Sequence, residues 1–170
     1  MTMSMFEASV PVFIHTLQSL KAILQKGLAH AEARKFDAAN LVNARLIADM
    51  LPLNRQVQIA CDAAKFAASR LSGTEAPKFE DNETTLPELI ARADKTIDYL
   101  QGFKPAQIDG SEERSIVMKT PRGDLTFTGL YYLRHIAIPN FFFHVTTTYN
   151  LLRENGVELG KPDFLGNAPR

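Results

Sequence analysis

The hydrophobic positions along most of the chain recur every three or four residues, which is the spacing of one face of an α-helix. Segments long enough to predict helices lie at residues 5 to about 28, about 53 to 71, 86 to 100 and 128 to 156. Amphipathic helices of this length bury their apolar faces against one another. The pattern therefore predicts an all-α protein, a four-helix bundle formed by a single domain over residues 1–170.

The last predicted helix contains the longest apolar-periodic segment and two of the four histidines. Thr128 is expected to cap its start, and Asn155-Gly156 is expected to end it. Pro139 lacks a backbone N–H and crowds the carbonyl four residues earlier, which predicts a kink near Arg134–His135. The predicted inward face comprises Leu130, Leu133, Ile136, Ala137, Asn140, Phe143, His144, Thr147 and Leu151.

Capping and turn residues place the ends of the second and third helices. Residues 31–43 are predicted to be a connection, and residues 46–51 a short helical turn. Pro52 suits the first turn of the second helix, where a missing N–H costs little. Thr85 and Glu88 have the spacing of a capping box, so the third helix is predicted to begin there.

Between the third and fourth helices the hydrophobic period changes from that of a helix to that of a strand. Residues 115–119 and 124–127 are predicted to form a β-hairpin. Residues 156–170 contain several glycines and prolines and are predicted to be an extended tail. Phe164 and Leu165 are expected to attach part of this tail to the body of the protein.

Composition narrows the class of protein. The formal net charge is zero, and basic residues do not cluster with aromatic ones, which argues against a nucleic-acid partner. Cys61 is the single cysteine, so an internal disulfide and a cysteine-rich zinc site are excluded. The sequence has no apolar segment approaching the roughly 20 residues of a membrane span and no recognisable signal peptide. A soluble, cytoplasmic protein without membrane partners is expected.

Polar residues on otherwise apolar helix faces are the candidate site. Asn140 and His144 lie one turn apart on the last helix, while Asp49 and Gln56 lie at the start of the second helix. Tyr132 is among the aromatic residues that would line a small pocket around them, together with Tyr131 and Phe141–Phe143. His144 is the candidate acid/base or polar anchor in this pocket.

Two histidines on the last helix do not make a metal site. His135 and His144 are nine residues apart, and at roughly 100° per residue their side chains point in opposite directions. They are therefore predicted not to bind the same metal ion.

The last helix resembles that of the DinB/YfiT-like superfamily, whose members often carry a His-x3-His motif followed by Leu-Leu-Arg and a glycine. Here Leu151-Leu152-Arg153 and Gly156-Val157 match that ending, so His144 aligns with the second histidine and Asn140 with the first. Thr147 replaces a glutamine common in the family. The segments DMLPLNRQVQIACDAAKFAASRLSG, APKFEDNETT, LTFTG and PNFFFHVTTTYNLLRENGV resemble the DUF1993 branch of this superfamily, across nearly the whole chain.

The resemblance implies an up-down-down-up bundle, often dimeric, in which metal-binding members use one histidine of the second helix and two of the fourth. Other relatives are thiol-dependent transferases or isomerases. This chain has no histidine on its second helix, where Gln56 or Asp49 lies nearest to that role, and it has Asn140 in place of the first fourth-helix histidine. Amides bind zinc or nickel weakly, so Gln56, Asn140 and His144 are weak ligand candidates and no cofactor is expected.

Three hypotheses follow from these residues. In the first, Asn140, His144 and Gln56 form a buried hydrogen-bonded network, and the protein is a homodimeric binding or scaffold protein with a degenerate metal site. In the second, a metal- or thiol-dependent hydrolase or transferase uses His144 with Asp49 and Gln56, in a cavity open to solvent. In the third, an apolar pocket between the second and fourth helices senses a small-molecule ligand.

Overall fold

The computed structural model describes residues 3–166, which are mostly helical with a small two-stranded antiparallel sheet. The helices are α1 (Val10–Arg34), α2 (Ala39–Val42), α3 (Leu53–Ser72), α4 (Leu86–Gln101), α5 (Pro105–Ile108), α6 (Gly129–Tyr132), α7 (Ile138–Glu154) and α8 (Lys161–Leu165). The strands are β1 (Ser115–Thr120) and β2 (Gly123–Thr128), and a π-helical turn (Leu133–Ala137) joins α6 to α7. None of the helices within the described residues is long and apolar enough to cross a membrane.

The ends of α3 and α4 lie where the sequence predicts them. Gly73 follows α3 with a φ of 73°, the left-handed conformation that glycine adopts without strain. The Thr85 hydroxyl accepts a hydrogen bond from the backbone N–H of Glu88, and the Glu88 carboxylate accepts one from the N–H of Thr85 at 2.9 Å. These paired bonds are the predicted capping box.

The first helix ends later than the sequence predicts, and its regular part starts directly after Ser9, where Pro11 falls in the first turn. Residues 5–9 form turns, and regular helix starts at Val10. The helix continues through residues predicted to be a connection and ends at Lys35, whose φ is 57°. Gly27 lies inside this helix. A methyl group there would lie only 3.1 Å from the Leu152 side chain. This glycine allows a close helix contact.

The helical turn predicted at residues 46–51 is irregular instead. The N–H of Met50 donates to Ile47 O at 3.0 Å, which closes a single turn. The short helix α2 forms earlier, where the Asp37 carboxylate accepts a hydrogen bond from the N–H of Ala39 at 2.9 Å. The Asp37 side chain thus satisfies one of the free backbone N–H groups at the start of α2.

The hairpin has the predicted strands and a two-residue turn. Thr120 pairs with Gly123, and Ile116 pairs with Phe127 on the face that turns toward the helices. Gly123 has a φ of 116°, which only glycine adopts readily.

The predicted extended tail contains α8, a short helix on the outside of α1. Phe164 packs edge-on against Tyr149 with ring centroids 6.0 Å apart, which is one of the two predicted attachments. The Leu165 side chain is largely exposed, and only its carbonyl oxygen is bonded to the body. The prediction for residues 167–170 falls outside the described residues.

Contacts between the long helices define their relative directions. Gln56 near the start of α3 is bonded to His144 in α7, whereas Arg70 near the end of α3 is bonded to Tyr132, which precedes α7. These two helices are therefore antiparallel, and the first turn of α3 lies beside the middle of α7.

Two contacts likewise define the relative directions of α1 and α4. Lys21 forms an ion pair with Asp94 at 2.7 Å, and Gly27 lies close to Leu86. The residue numbers rise along one helix as they fall along the other, so α1 and α4 are also antiparallel.

A π-helical turn lies at the position where Pro139 is predicted to disturb the last helix. Its residues Leu133–Ala137 have the wider turn that closes with i→i+5 hydrogen bonds. Pro139 then falls in the first turn of α7, where the absence of its N–H has little cost. The disturbance is thus where the sequence predicts it, and it takes the form of one wide turn.

Candidate functional site

His144 and Gln56 form a buried hydrogen bond between α7 and α3. The distance from His144 Nδ1 to Gln56 Oε1 is 2.6 Å, and Gln56 Nε2 donates to the carbonyl oxygen of Leu51 at 2.9 Å. Because the amide nitrogen of Gln56 faces a carbonyl, its oxygen must be the atom that faces the imidazole. His144 therefore carries its proton on Nδ1, and Nε2 has the free lone pair.

The environment keeps this histidine neutral. His144 is 8% exposed and Gln56 is 2% exposed. Burial lowers the pKa of His144 below its ordinary value of 6.5, because the charged form loses hydration. Within residues 3–166, Nε2 has no hydrogen-bond partner, and it is not fully enclosed by the protein. The free nitrogen is thus accessible to water.

Asn140 and Asp49 do not join this pair. Both side chains are exposed, and neither makes a hydrogen bond within the part of the chain that the structure describes. Asp49 lies in the irregular segment before α3, and Asn140 lies one turn closer to the π-helical turn than His144. The predicted network of Asn140, His144 and Gln56 is corrected to a pair, His144–Gln56.

Tyr132 is buried but lies far from His144. Its hydroxyl accepts a hydrogen bond from Arg70 Nη1 at 2.9 Å. Burial raises the pKa of Tyr132, although Arg70 works in the opposite direction. Arg70 follows Gln56 by fourteen residues in one helix, which is roughly 21 Å at about 1.5 Å per residue. The structure therefore does not bring Tyr132 into the His144 site.

The donor set around His144 does not fit zinc or nickel. The pair contributes one imidazole and one carboxamide, and amides are weak ligands for these metals. Gln56 also bonds the Nδ1 side of the ring, so its oxygen is directed away from any ion on Nε2. Among residues 3–166, His, Cys, Asp and Glu side chains do not form a group of three or more that could hold a metal. Gln56 orients the His144 ring, and the two side chains are not arranged to bind one metal ion together.

Five surface cavities lie away from His144. They have volumes between about 240 and 590 Å³ and lie along α1, α8 and the segment from Lys78 to Lys95. His144 lines none of these five cavities, so the solvent-open cavity of the hydrolase or transferase hypothesis is not among them.

Exposed aromatic rings cover part of the last helix. Tyr131 is 50% exposed and stacks on Phe127 of the hairpin, with centroids 5.6 Å apart. The His135 ring lies tilted against the Tyr131 ring, with centroids 4.6 Å apart, and His135 is exposed. Phe143 is 55% exposed and stands edge-on to the His144 ring.

The sequence pattern did not predict a cluster of charges around two buried cations, here called the Arg92 cluster: Asp62, Lys65, Asp81, Glu83 and Arg92. Arg92 is 3% exposed and pairs at 3.0 Å with each of the three carboxylates. Lys65 is equally buried and pairs with Asp62 at 2.8 Å. The cluster ties the segment between α3 and α4 onto both helices.

A signal for this cluster was present in the sequence. Arg92 lies between Leu89 and Ala93 on the apolar face of its helix, and acidic residues gather in the preceding loop. Burial alone would lower the pKa of Arg92, but the hydrogen bond that Arg92 donates to Glu83 and the charge of Asp62 raise it. A charge on an apolar face requires opposite charges from elsewhere in the chain.

Cys61 adjoins the cluster and is fully buried. Burial raises the pKa of its thiol to about 11, although a hydrogen bond with Thr96 acts in the opposite direction. The thiol is therefore protonated at neutral pH and behaves as a small hydrophobic group, as the sequence suggests.

Comparison with known proteins agrees with the resemblance seen in the sequence. The model of a domain of unknown function, DUF1993, matches residues 5–165. A crystal structure of a DinB family member protein from Shewanella denitrificans superposes with a TM-score of 0.89 and 44% sequence identity, covering 97% of this chain and 93% of the other. No curated protein matches the chain. The chain belongs to the DUF1993 family and has a DinB-like fold.

Proposed function

We propose that this protein is a binding or scaffold member of the DinB-like group, in which an interhelical hydrogen bond has replaced a metal site. The observation that supports this is the 2.6 Å bond between His144 and Gln56. It uses the histidine that aligns with a family metal ligand to connect α7 to α3. Its role is then to fix the relative position of two helices.

The proposal includes an up-down-down-up arrangement of α1, α3, α4 and α7. The ring of Phe13 packs on Phe141 with centroids 4.9 Å apart, and Gly27 packs against Leu152. These contacts make α1 parallel to α7, and the antiparallel pairs α1–α4 and α3–α7 supply the other two directions.

We also propose a cytoplasmic homodimer that uses exposed apolar residues of α6 and α7. Leu130 and Tyr131 of α6 and Phe143 of α7 are between 37% and 55% exposed, and burying large apolar groups favours association. Multi-angle light scattering at micromolar concentration would show twice the chain mass. A monomeric mass over that range would contradict the dimer.

A double-mutant cycle with metal analysis tests the structural role of the pair. Each of His144→Phe and Gln56→Leu removes one partner of a buried hydrogen bond, which costs about 1–3 kcal/mol. The double variant should lose less than the sum of the two, because neither polar group is then left unpaired. His135→Phe, on the exposed side of the same segment, is the matched control and should change stability little.

The same variants test for metal binding. After incubation with zinc or nickel and desalting, elemental analysis should find well under one equivalent in the wild-type protein. One equivalent that disappears in His144→Phe and remains in His135→Phe would overturn the proposal.

A second candidate, a hydrolase or thiol-dependent transferase that uses His144, has one observation in its favour. The ring is held as a neutral tautomer with Nε2 free, which is the form that accepts a proton. Assays with activated esters and with thiol acceptors, comparing wild type with His144→Gln, test this role. Activity that is unchanged by the substitution would remove it.

A further inference from the structure

The C-terminal helix α8 is attached to the body by few interactions. None of its residues is buried. The Asp163 carboxylate pairs with Lys26 at 2.7 Å, and His15 Nε2 donates to the carbonyl oxygen of Leu165 at 2.7 Å. Phe164 adds one edge-on contact with Tyr149. Polar bonds at an exposed surface compete with water and hold weakly.

Cavities lie on both sides of α8. One of about 400 Å³ is lined by Phe164 and Leu165 together with Val12 of α1 and Phe142 of α7. Another, of about 240 Å³, lies between Pro162 and α1. His15 borders both of them. Grooves open to solvent therefore border α8, whereas the long helices pack closely against one another.

The chain just before α8 is firmly anchored. Val157 and Leu159 are buried, and the N–H of Val157 donates to Leu152 O at 3.0 Å. Any release of α8 would therefore stop at this anchor. A short helix without buried residues, next to an anchored segment, is typical of a unit that opens locally while the rest stays folded.

We propose that residues 160–166 form a latch that opens and closes as a unit on the outer face of α1, pivoting after the anchor at Val157 and Leu159. In the closed state Phe164 and Leu165 form one side of the groove beside Val12 and Phe142, and so cover part of its apolar surface. Opening joins the two cavities along α1 and exposes this groove. The latch is thus a built-in cover for an apolar surface of the bundle.

Hydrogen exchange measured by mass spectrometry on the full chain tests the latch. The variant His15→Ala/Lys26→Ala removes both polar bonds that hold α8 and leaves the buried core unchanged. Amides of residues 161–166 should exchange at least about tenfold faster than in wild type, while those of α3 and α4 keep their rates. Fluorescence of the apolar dye 1-anilinonaphthalene-8-sulfonate should rise, because the groove is more often exposed.

Lys21→Ala is the matched control, because it removes an ion pair of the same 2.7 Å length on the same helix, to Asp94 of α4. It should leave exchange at residues 161–166 and dye fluorescence at wild-type levels. The proposal is overturned if these amides exchange in wild type as slowly as those in the middle of α1. It is equally overturned if the double variant leaves their exchange unchanged, or speeds exchange in α8 and α1 by the same factor.

Discussion

Replacing Arg92 with methionine is expected to destabilise the protein strongly. Methionine is shorter than arginine but replaces the apolar stem of its side chain, so the change removes the charged group and keeps much of the packing. The side chain of Arg92 is 1% exposed and carries ion pairs to Asp62, Asp81 and Glu83. Without it, three carboxylates remain close together with Lys65 and Arg55 as their remaining cations.

The expected loss in the free energy of unfolding follows from the burial of each partner. Removing one partner of a buried ion pair costs about 3–5 kcal/mol. The side chains of Asp62, Asp81 and Glu83 are 27%, 37% and 13% exposed, so water can partly replace the lost cation. The low end, about 3 kcal/mol, is therefore expected. For a chain of this size it corresponds to a fall in Tm of about 6–12 °C.

Equilibrium unfolding in urea, followed by circular dichroism, measures this loss. Lys21→Met is the control, since its pair with Asp94 is just as short but lies at the surface, with side chains 33% and 45% exposed. This substitution should lower the free energy of unfolding by less than about 1 kcal/mol. The loss should be smaller still in high salt. A loss for Arg92→Met no larger than that of the control would refute the argument that the cluster depends on a buried guanidinium.

Three other perturbations have defined outcomes. Because burial lowers the pKa of His144, the unfolded chain takes up a proton below about pH 6.5 before the folded chain does. The stability of wild type should therefore fall relative to His144→Gln between about pH 7 and pH 5, and equal slopes in urea titrations would contradict this. Gly129→Ala should cost at least about 2 kcal/mol, because its methyl group would lie 2.0 Å from the carbonyl oxygen of Ser111. Gly160→Ala is the control, because the nearest atom to its methyl group would be 3.4 Å away. Thermal melting compares the two variants, and equal melting temperatures for them would be inconsistent with the clash. Thr85→Ala should cost about 1 kcal/mol by loss of the helix cap, and an unchanged urea midpoint would show that the cap contributes nothing.

Elements whose ends depend on neighbouring residues could be predicted from the sequence. Thr85 and Glu88 form their capping box within one turn, and Gly73 ends its helix through its own conformational freedom. The hairpin likewise needs only its two strands and Gly123. In each case the stabilising groups are close together in the chain, so the local pattern contains the needed information.

Features that depend on distant segments were harder to predict. Asn140 shares a helix face with His144, yet only His144 meets Gln56, because that meeting depends on where α3 begins. Arg92 could be recognised as a charge on an apolar face, but its carboxylate partners come from another helix and a loop. Helix periodicity also placed Asn140 and Phe143 on the inward face of the last helix, yet both are exposed, so the period alone shows only part of what is buried.

The π-helical turn at Leu133–Ala137 links two properties of the chain that look independent. A turn closed by i→i+5 bonds contains one residue more than an α-helical turn, so it takes up that residue without the rotation of about 100° that it would cause in an α-helix. A relative that lost one residue here could close an unbroken α-helix and keep His144 directed at α3. In that helix the ring of the proline would collide with the carbonyl of the residue four positions before it. Chain length in this segment and the proline should therefore change together among homologues.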